Sequence, residues 1–213
     1  MTPEAVGQAL GVSRETLGRL EAYAERLRRW NGAINLVARS TLPDMWRRHI
    51  LDCGQLEAWA PPAARRWVDL GAGAGLLALI VAIIALETRP ELSVIAVESD
   101  ARKCAFMSDV ARTLGLSVEI RRTRAETMTP IRADVVSARA LSELSNLLAL
   151  AEPALGPRAI ALFPKGRDVE RELTAAAAEW HYALKRRPSL SDPAATILEL
   201  SEIRRERAAR QKA

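Results

Sequence analysis

Cysteine is scarce in this 213-residue chain, with only Cys53 and Cys104 present. No Cys-x-x-Cys pair or Cys/His cluster offers a tetrahedral zinc site. Two isolated cysteines make no disulfide framework; they read as buried free thiols of a reducing cytoplasm. Long apolar runs are missing as well. The longest, Leu76 to Leu86, is too short to cross a bilayer and reads as a buried helix. Met1 to Gly11 has neither a basic start nor an apolar run, so no secretory leader is expected. Internal repeats are absent. What is present is ordinary globular composition, 49% hydrophobic and 27% charged, with a formal charge of +5. The isoelectric point of about 9.7 is compatible with a nucleic-acid partner without requiring one.

Two patterns divide the chain. Residues 1–62 read as a helical section: Leu17, Leu20, Ala24, Leu27 and Trp30 recur at helical spacing, Ser13 is placed to cap and Asn31-Gly32 to stop. Leu42 to Trp59 reads as one or two further helices. Residues 63–203 alternate short apolar strands with helices. Strands are expected at Trp67–Leu70, Val94–Val97, Val118–Arg121, Asp134–Ala138 and Ala159–Phe163, the last stopped by Pro164. An antiparallel pair, Trp180–Arg186 with Thr196–Leu200, closes the series. Such alternation predicts an α/β fold, an open and mainly parallel sheet with helices on both faces. The charged tail, residues 204–213, lacks apolar anchors and is expected to be disordered.

The most informative stretch follows the first strand: Asp69-Leu70-Gly71-Ala72-Gly73-Ala74-Gly75. Gly71 and Gly73 let the backbone turn and approach a ligand without a Cβ, and Gly75 allows close helix packing. Glu98 ends the second strand near the spacing of an acid that grips ribose hydroxyls. A glycine loop of this form serves dinucleotides and other nucleotide cofactors alike. Asp69 favours S-adenosylmethionine, whose methionyl end is cationic, over a pyrophosphate that it would repel. The chain also has little room for a second, substrate-binding domain of the dehydrogenase kind.

Beyond this loop the chain resembles a known family. The runs Arg48-His49-Ile50-Leu51-Asp52, Asp69 to Gly75, Glu98-Ser99-Asp100-Ala101-Arg102-Lys103, Ser137-Ala138-Arg139-Ala140-Leu141 and Phe163-Pro164-Lys165-Gly166 resemble, in order, the bacterial small-subunit ribosomal RNA guanine-N7 methyltransferases of the RsmG (GidB) type. Trp30-Asn31 to Asn35-Leu36-Val37 fits the family's N-terminal part. The resemblance implies a Rossmann-like S-adenosylmethionine-dependent methyltransferase fold with a seven-stranded sheet. It implies small-subunit ribosomal RNA or the ribosomal subunit as partner, a cytoplasmic monomer, and no metal or membrane. Carried across, the cofactor positions are Asp69, Gly71, Gly73, Leu76, Glu98, Ala125, Glu126 and Arg139. Two departures stand out: Leu77-Ala78 replaces the family's usual Pro-Gly after the loop, and Cys53 stands where serine is common.

Guanine N7 has an in-plane lone pair and no proton to remove, so this chemistry asks for alignment rather than a strong base. Arg139, at a strand end facing the cleft, is expected to position acceptor or cofactor; the bland alternative is an ion pair with Glu143. Its loss is expected to cost methyl transfer far more than folding. Lys165 is a candidate phosphate contact. His49 and Asp52, one helical turn apart, suit a structural hydrogen bond better than a proton pair. Arg47-Arg48, Arg121-Arg122 and Lys185-Arg186-Arg187 are either solvated faces or parts of an RNA surface. The five tryptophans read as core rather than stacking platforms. A methyltransferase acting on another RNA, a small molecule or a protein remains open. So does a different class, because Gln8 to Leu17 resembles the centre of a helix-turn-helix and admits a DNA-binding regulator.

Overall fold

The structure, a computed structural model, describes residues 1–206. Seven strands form one sheet: β1 (Arg66–Leu70), β2 (Ser93–Glu98), β3 (Val118–Arg122), β4 (Ala133–Ala138), β5 (Leu155–Lys165), β6 (Trp180–Pro188) and β7 (Thr196–Arg205). Their order is β3-β2-β1-β4-β5-β7-β6. β1 to β5 are parallel, and β7 runs antiparallel between β5 and β6. The central strands are buried on both faces, which is why they read as unbroken Val/Ile/Ala runs. Strand order reverses between β1 and β4, and there the carboxyl ends leave a crevice for a ligand.

Alternating residues feed two cores. On one face Trp67 packs with α4 (Ala78–Thr88) and α5 (Ala101–Leu114); on the other Val68 and Leu70 pack with α6 (Leu144–Ala151) and α7 (Val169–Ala177). Residues 78–85 of α4 are buried all round, because α2 (Arg14–Asn31) covers the side that the sheet leaves open. α2 does so with Leu20, Ala24 and Leu27 of the stripe legible in the sequence, and with Tyr23, which that stripe did not include. α1 (Pro3–Leu10) precedes it across Gly11, whose φ of 67° makes the left-handed turn. The Ser13 cap is present: its side chain accepts from Thr16 N at 3.2 Å. Glu87 on α4 accepts from Ser13 N at 3.1 Å and Thr16 Oγ1 at 2.7 Å. The end of α2 that a recognition helix would point into a DNA groove is therefore tied down on the protein's own core.

Four expectations need correction. Leu42 to Trp59 is not one or two regular helices. It is a 3₁₀ turn (Arg39–Asp44), a π-helical segment (Trp46–Leu51), the one-turn α3 (Asp52–Gly54) and a second 3₁₀ turn (Glu57–Trp59). α4 starts at Ala78, two residues late, because Leu76 and Leu77 remain in the turn and the first helical N–H is capped from outside the helix by Asp69. Pro164 does not stop β5. No β4 residue pairs with β5 beyond Leu162, so a residue without an N–H costs no ladder bond on that side. Arg204 and Arg205 belong to β7 rather than to the tail; residues 207–213 lie outside the described ones.

Candidate cofactor and acceptor site

The glycine loop leaves β1 with three residues of positive φ: Gly71 at 63°, Gly73 at 58° and Gly75 at 69°. Each plays a different part. A Cβ on Gly75 would lie 2.6 Å from Leu79 Cδ1 and 3.0 Å from Met107 Cγ, so this glycine permits core packing. A Cβ on Gly73 would meet nothing nearer than Gly71 O at 3.9 Å, so its bare backbone faces open space. The loop is braced from three sides. Ala72 N donates to Val97 O at 2.9 Å, Tyr23 Oη donates to Ala74 O at 3.1 Å, and Glu98 Oε2 accepts from Gly73 N at 2.9 Å. The other Glu98 oxygen accepts from Asp100 N at 2.8 Å. Asp100 in turn caps α5 through Arg102 N and Lys103 N, as its position at the strand–helix junction predicts.

Asp69 is 2% exposed. It accepts from Ser137 Oγ at 2.9 Å and from Ala78 N at 3.2 Å. Ser137 sits opposite Asp69 in the β1–β4 ladder and itself accepts from Trp67 Nε1 at 2.8 Å. Burial pushes the Asp69 carboxyl up to about 7, and the bonds from Ser137 and Ala78 pull against that rise. Asp69 thus lines the cavity as a buried acid whose charge is easily shifted by a nearby cation.

Arg139 follows β4 and precedes Ala140, which has a φ of 52°. That left-handed residue, costly by roughly 1–2 kcal/mol for anything but glycine, turns the chain back toward the π-helical segment. Arg139 spends its guanidinium there. Nη1 donates to His49 Nδ1 at 3.1 Å, Nη2 to Arg48 O at 2.9 Å, and Nε pairs with Asp52 Oδ2 at 3.0 Å. A guanidinium only donates, so His49 Nδ1 is an acceptor and its proton sits on Nε2. From there it donates to Thr41 Oγ1 at 2.8 Å, and Thr41 passes a bond of 2.7 Å to Ala38 O. Burial, then the Arg139 and Arg48 charges, push the His49 imidazole down to about 4. His49 and Asp52 therefore do not bond each other, contrary to expectation; both hold Arg139. Glu143 does not pair with Arg139 but with Arg171.

Three cavities meet at Arg139 and Ala140. One of ≈ 400 Å³ lies between the glycine loop and the N-terminal section, lined by Asp69, Gly73, Leu76, His49 and Lys103 among others. A second of ≈ 300 Å³ lies on the far side of the loop and is lined by Glu98, Ala125 and Glu126. A third of ≈ 430 Å³ extends over the ends of β4, β5 and β7, lined by Arg47, Arg48, Lys165, Ser191 and Asp192. All the positions expected for the cofactor line the first two. Lys165, the candidate phosphate contact, lines the third, and it is neither solvated nor unpaired. Its side chain is 8% exposed, and Nζ donates to Glu172 Oε2 at 2.6 Å and Ser142 O at 3.0 Å. Glu172 also accepts from Leu144 N at 2.8 Å, so the pair ties α7 to the start of α6.

The basic clusters divide. Lys185, Arg186 and Arg187 are matched by Glu199 and Glu170, Arg121 by Glu119, and Arg47 by Asp44. Arg48, Lys103 and Arg124 line the cavities without an ion pair among the described residues. Trp46, Trp67 and Trp180 are buried; Trp30 stacks edge-on to Phe106 at 5.6 Å, and Trp59 lies under Arg187. Cys53 and Cys104 are buried and unpaired. The described residues contain no group of three or more His, Cys, Asp or Glu placed to hold a metal, and no helix among them is long and apolar enough to cross a membrane.

The reversed strand order, the glycine loop at the β1 end and the acid at the β2 end make a nucleotide-cofactor site, and with β7 antiparallel between β5 and β6 the fold is that of the S-adenosylmethionine-dependent methyltransferases. Solved structures agree on the fold. A SAM-dependent methyltransferase from Aquifex aeolicus aligns with a TM-score of 0.58 over 78% of this chain and 95% of its own, at 15% identity. Magnesium protoporphyrin IX methyltransferase from Synechocystis, with bound SAM, also gives 0.58, over 84% and 96% at 12% identity. The particular family is set by sequence. Residues 16–193 match the GidB family, described as rRNA small subunit methyltransferase G. Proteins named ribosomal RNA small subunit methyltransferase G are 48% identical in Cereibacter sphaeroides, over 93% of this chain and 95% of theirs, and 51% identical in Rhodospirillum centenum, over 92% and 88%. The chain belongs to this family.

Proposed function

We propose that this chain transfers a methyl group from S-adenosylmethionine to N7 of a guanine in small-subunit ribosomal RNA, as a cytoplasmic monomer. The observation that carries the proposal is the meeting of three cavities at Arg139–Ala140, two around the glycine loop and one, lined by charges of both signs, over the β4–β5–β7 ends. Their sizes suit a nucleotide-sized ligand and a purine. In this reading residues 63–203 form the catalytic core and residues 1–62 brace the loop and Arg139.

The residues fit the cofactor. Gly73 gives the backbone-bare approach, while Gly71, whose Cβ would lie 2.7 Å from Leu141 Cδ1, makes the turn against that side chain. Glu98 uses one lone pair of each oxygen on backbone N–H groups, leaving acceptor capacity for ribose hydroxyls. Ala125 and Glu126, which line the cavity beyond the loop, would hold the base end, and Leu76 and Asp69, which line the other, would hold the methionyl end. When bound, the cofactor supplies an electrophilic methyl on a sulfonium. The chain's own contribution is position and field. Asp69 becomes fully ionised beside a cation, which stabilises the bound state. Arg139, neutralised by Asp52 and fixed at three points, walls the junction between cofactor and acceptor without adding net charge against a guanine that turns cationic. His49 is neutral and its free proton is committed to Thr41, so it takes no proton from the substrate. Lys165, paired with Glu172, shapes the acceptor floor, and Arg48, Lys103 and Arg124 supply the unpaired charge for phosphates.

The test is transfer of tritiated methyl from S-adenosylmethionine to small-subunit ribosomal RNA and to isolated subunits, followed by nucleoside analysis. The expected product is 7-methylguanosine. Label in another nucleoside, or in protein alone, overturns the proposal.

A further inference from the structure

The acceptor cavity contains three carboxylates, and their commitments differ. Asp52 is bound to Arg139 and accepts from Ser191 Oγ at 2.6 Å. Glu172 is bound to Lys165 and Leu144 N. Asp192 forms no ion pair among the described residues; Oδ1 accepts from Ala194 N at 2.9 Å, and Oδ2 has no hydrogen-bond donor there. The β6–β7 loop that carries Asp192 is firmly placed. Ser191 is 6% exposed, its carbonyl accepts from Arg47 Nη1 at 2.7 Å, and Gln55 Oε1 accepts from Leu190 N at 2.8 Å. Asp192 O also accepts from Ala195 N at 3.0 Å, closing the turn around Pro193.

Strand order sets what this free carboxylate faces. The cavity begins at Arg139–Ala140, beside the cofactor loop, and crosses β5 to the start of β7. That is two strand spacings, roughly 10 Å. A guanine whose N7 lone pair attacks the methyl points N7 at the cofactor side. Its exocyclic amino group lies diagonally across the purine from N7 and then faces the β7 side, where Asp192 is exposed to the cavity. A carboxylate accepts from that N–H. Adenine has no amino group at that position. We propose that Asp192 accepts from the exocyclic amino group of the target guanine and makes the site specific for it. This rests on the acceptor assignment above.

The test compares guanosine with inosine, which lacks the exocyclic amino group, at the methylated position of small-subunit ribosomal RNA, free or reconstituted into subunits, whichever the wild type methylates. The wild type is expected to prefer guanosine on the order of tenfold in kcat/KM. Asp192→Ala removes the preference. Asp192→Ser removes it too, while its hydroxyl can still accept from Ala194 N and keep the turn. A residue that only shapes the turn would lower both substrates equally in Asp192→Ala and leave the ratio intact. A variant ratio equal to the wild type's, or a wild type indifferent to inosine, overturns the inference. A wild type that never methylates guanosine at N7 overturns the proposed function instead.

Discussion

Removing the Arg139 side chain separates holding from catalysis. The guanidinium makes one ion pair and two further hydrogen bonds, all to residues 48–52. Arg139→Ala leaves Asp52, 14% exposed, with Ser191 as its one remaining partner, and leaves Arg48 O and His49 Nδ1 unpaired. Breaking a largely buried pair from one side costs about 3–5 kcal/mol. Because a quarter of the Arg139 side chain is exposed, the lower end, about 3 kcal/mol, applies. For a chain of this size that lowers Tm by roughly 6–12 °C. Folding therefore suffers more than the sequence alone suggests. Asp52→Asn in the same chain removes the orphaned charge and should return about 1–2 kcal/mol of it. It cannot return the wall between cofactor and acceptor. Urea unfolding and single-turnover methyl transfer, measured on the wild type, both single variants and the double variant, read the two effects apart. Stability partly restored with transfer still lost is the expected result. Transfer restored along with stability would refute the role of Arg139 at the junction.

Asp69 makes cofactor affinity pH-dependent. Its folded value of about 7 lies above the ordinary 3.8, and a bound cation favours the ionised form. Affinity should be weaker below pH 7 and level off above it by calorimetry, and Asp69→Asn should flatten the curve. The same shift makes Asp69 a stabilising proton binder: its contribution is full below about pH 3.8 and is lost as pH rises through about 7. His49 acts in the other sense. Its folded value of about 4 lies below 6.5, so its contribution is present above pH 6.5 and is lost as pH falls toward 4; His49→Gln should abolish that part of the acid limb in urea titrations. Gly73→Asp should eliminate cofactor binding in calorimetry, since its Cβ points into open cavity at a φ of 58° and places a carboxylate beside Glu98. Ala140→Gly should relieve about 1 kcal/mol of left-handed strain while lowering the transfer rate, because the turn that aims Arg139 is loosened.

Much of the fold was legible because its signals are local. Parallel strands buried on both faces are unbroken apolar runs, and caps such as Ser13 and Asp100 announce helix starts within one turn. The glycine loop and Glu98 were legible for the same reason. Residues 42–59 were not. Met45, Trp46, Ile50 and Leu51 are buried at spacings that α- and π-helices share, and hydrogen-bond ring size leaves no mark on such a pattern. The commitments of charged groups were also hidden. Arg139 meets Asp52 and His49 across most of the N-terminal half, Ser191 meets Asp52 from the other end of the chain, and Lys165 finds Glu172 only because β5 runs on past Pro164. No spacing rule foretells pairs brought together by topology. Tyr23, which braces Ala74 from α2, stood outside the apolar stripe read from the sequence, because its hydroxyl's partner lies 51 residues away.

The central claim is that position, not proton removal, drives transfer to guanine N7. The most direct measurement is the single-turnover rate of 7-methylguanosine formation in small-subunit ribosomal RNA at saturating S-adenosylmethionine, from about pH 6 to about pH 8. A rate that stays level across this range is expected, since saturation removes the Asp69 effect and no group on the path loses a proton. A rate that climbs tenfold per pH unit before levelling would reveal an obligatory base and contradict the account.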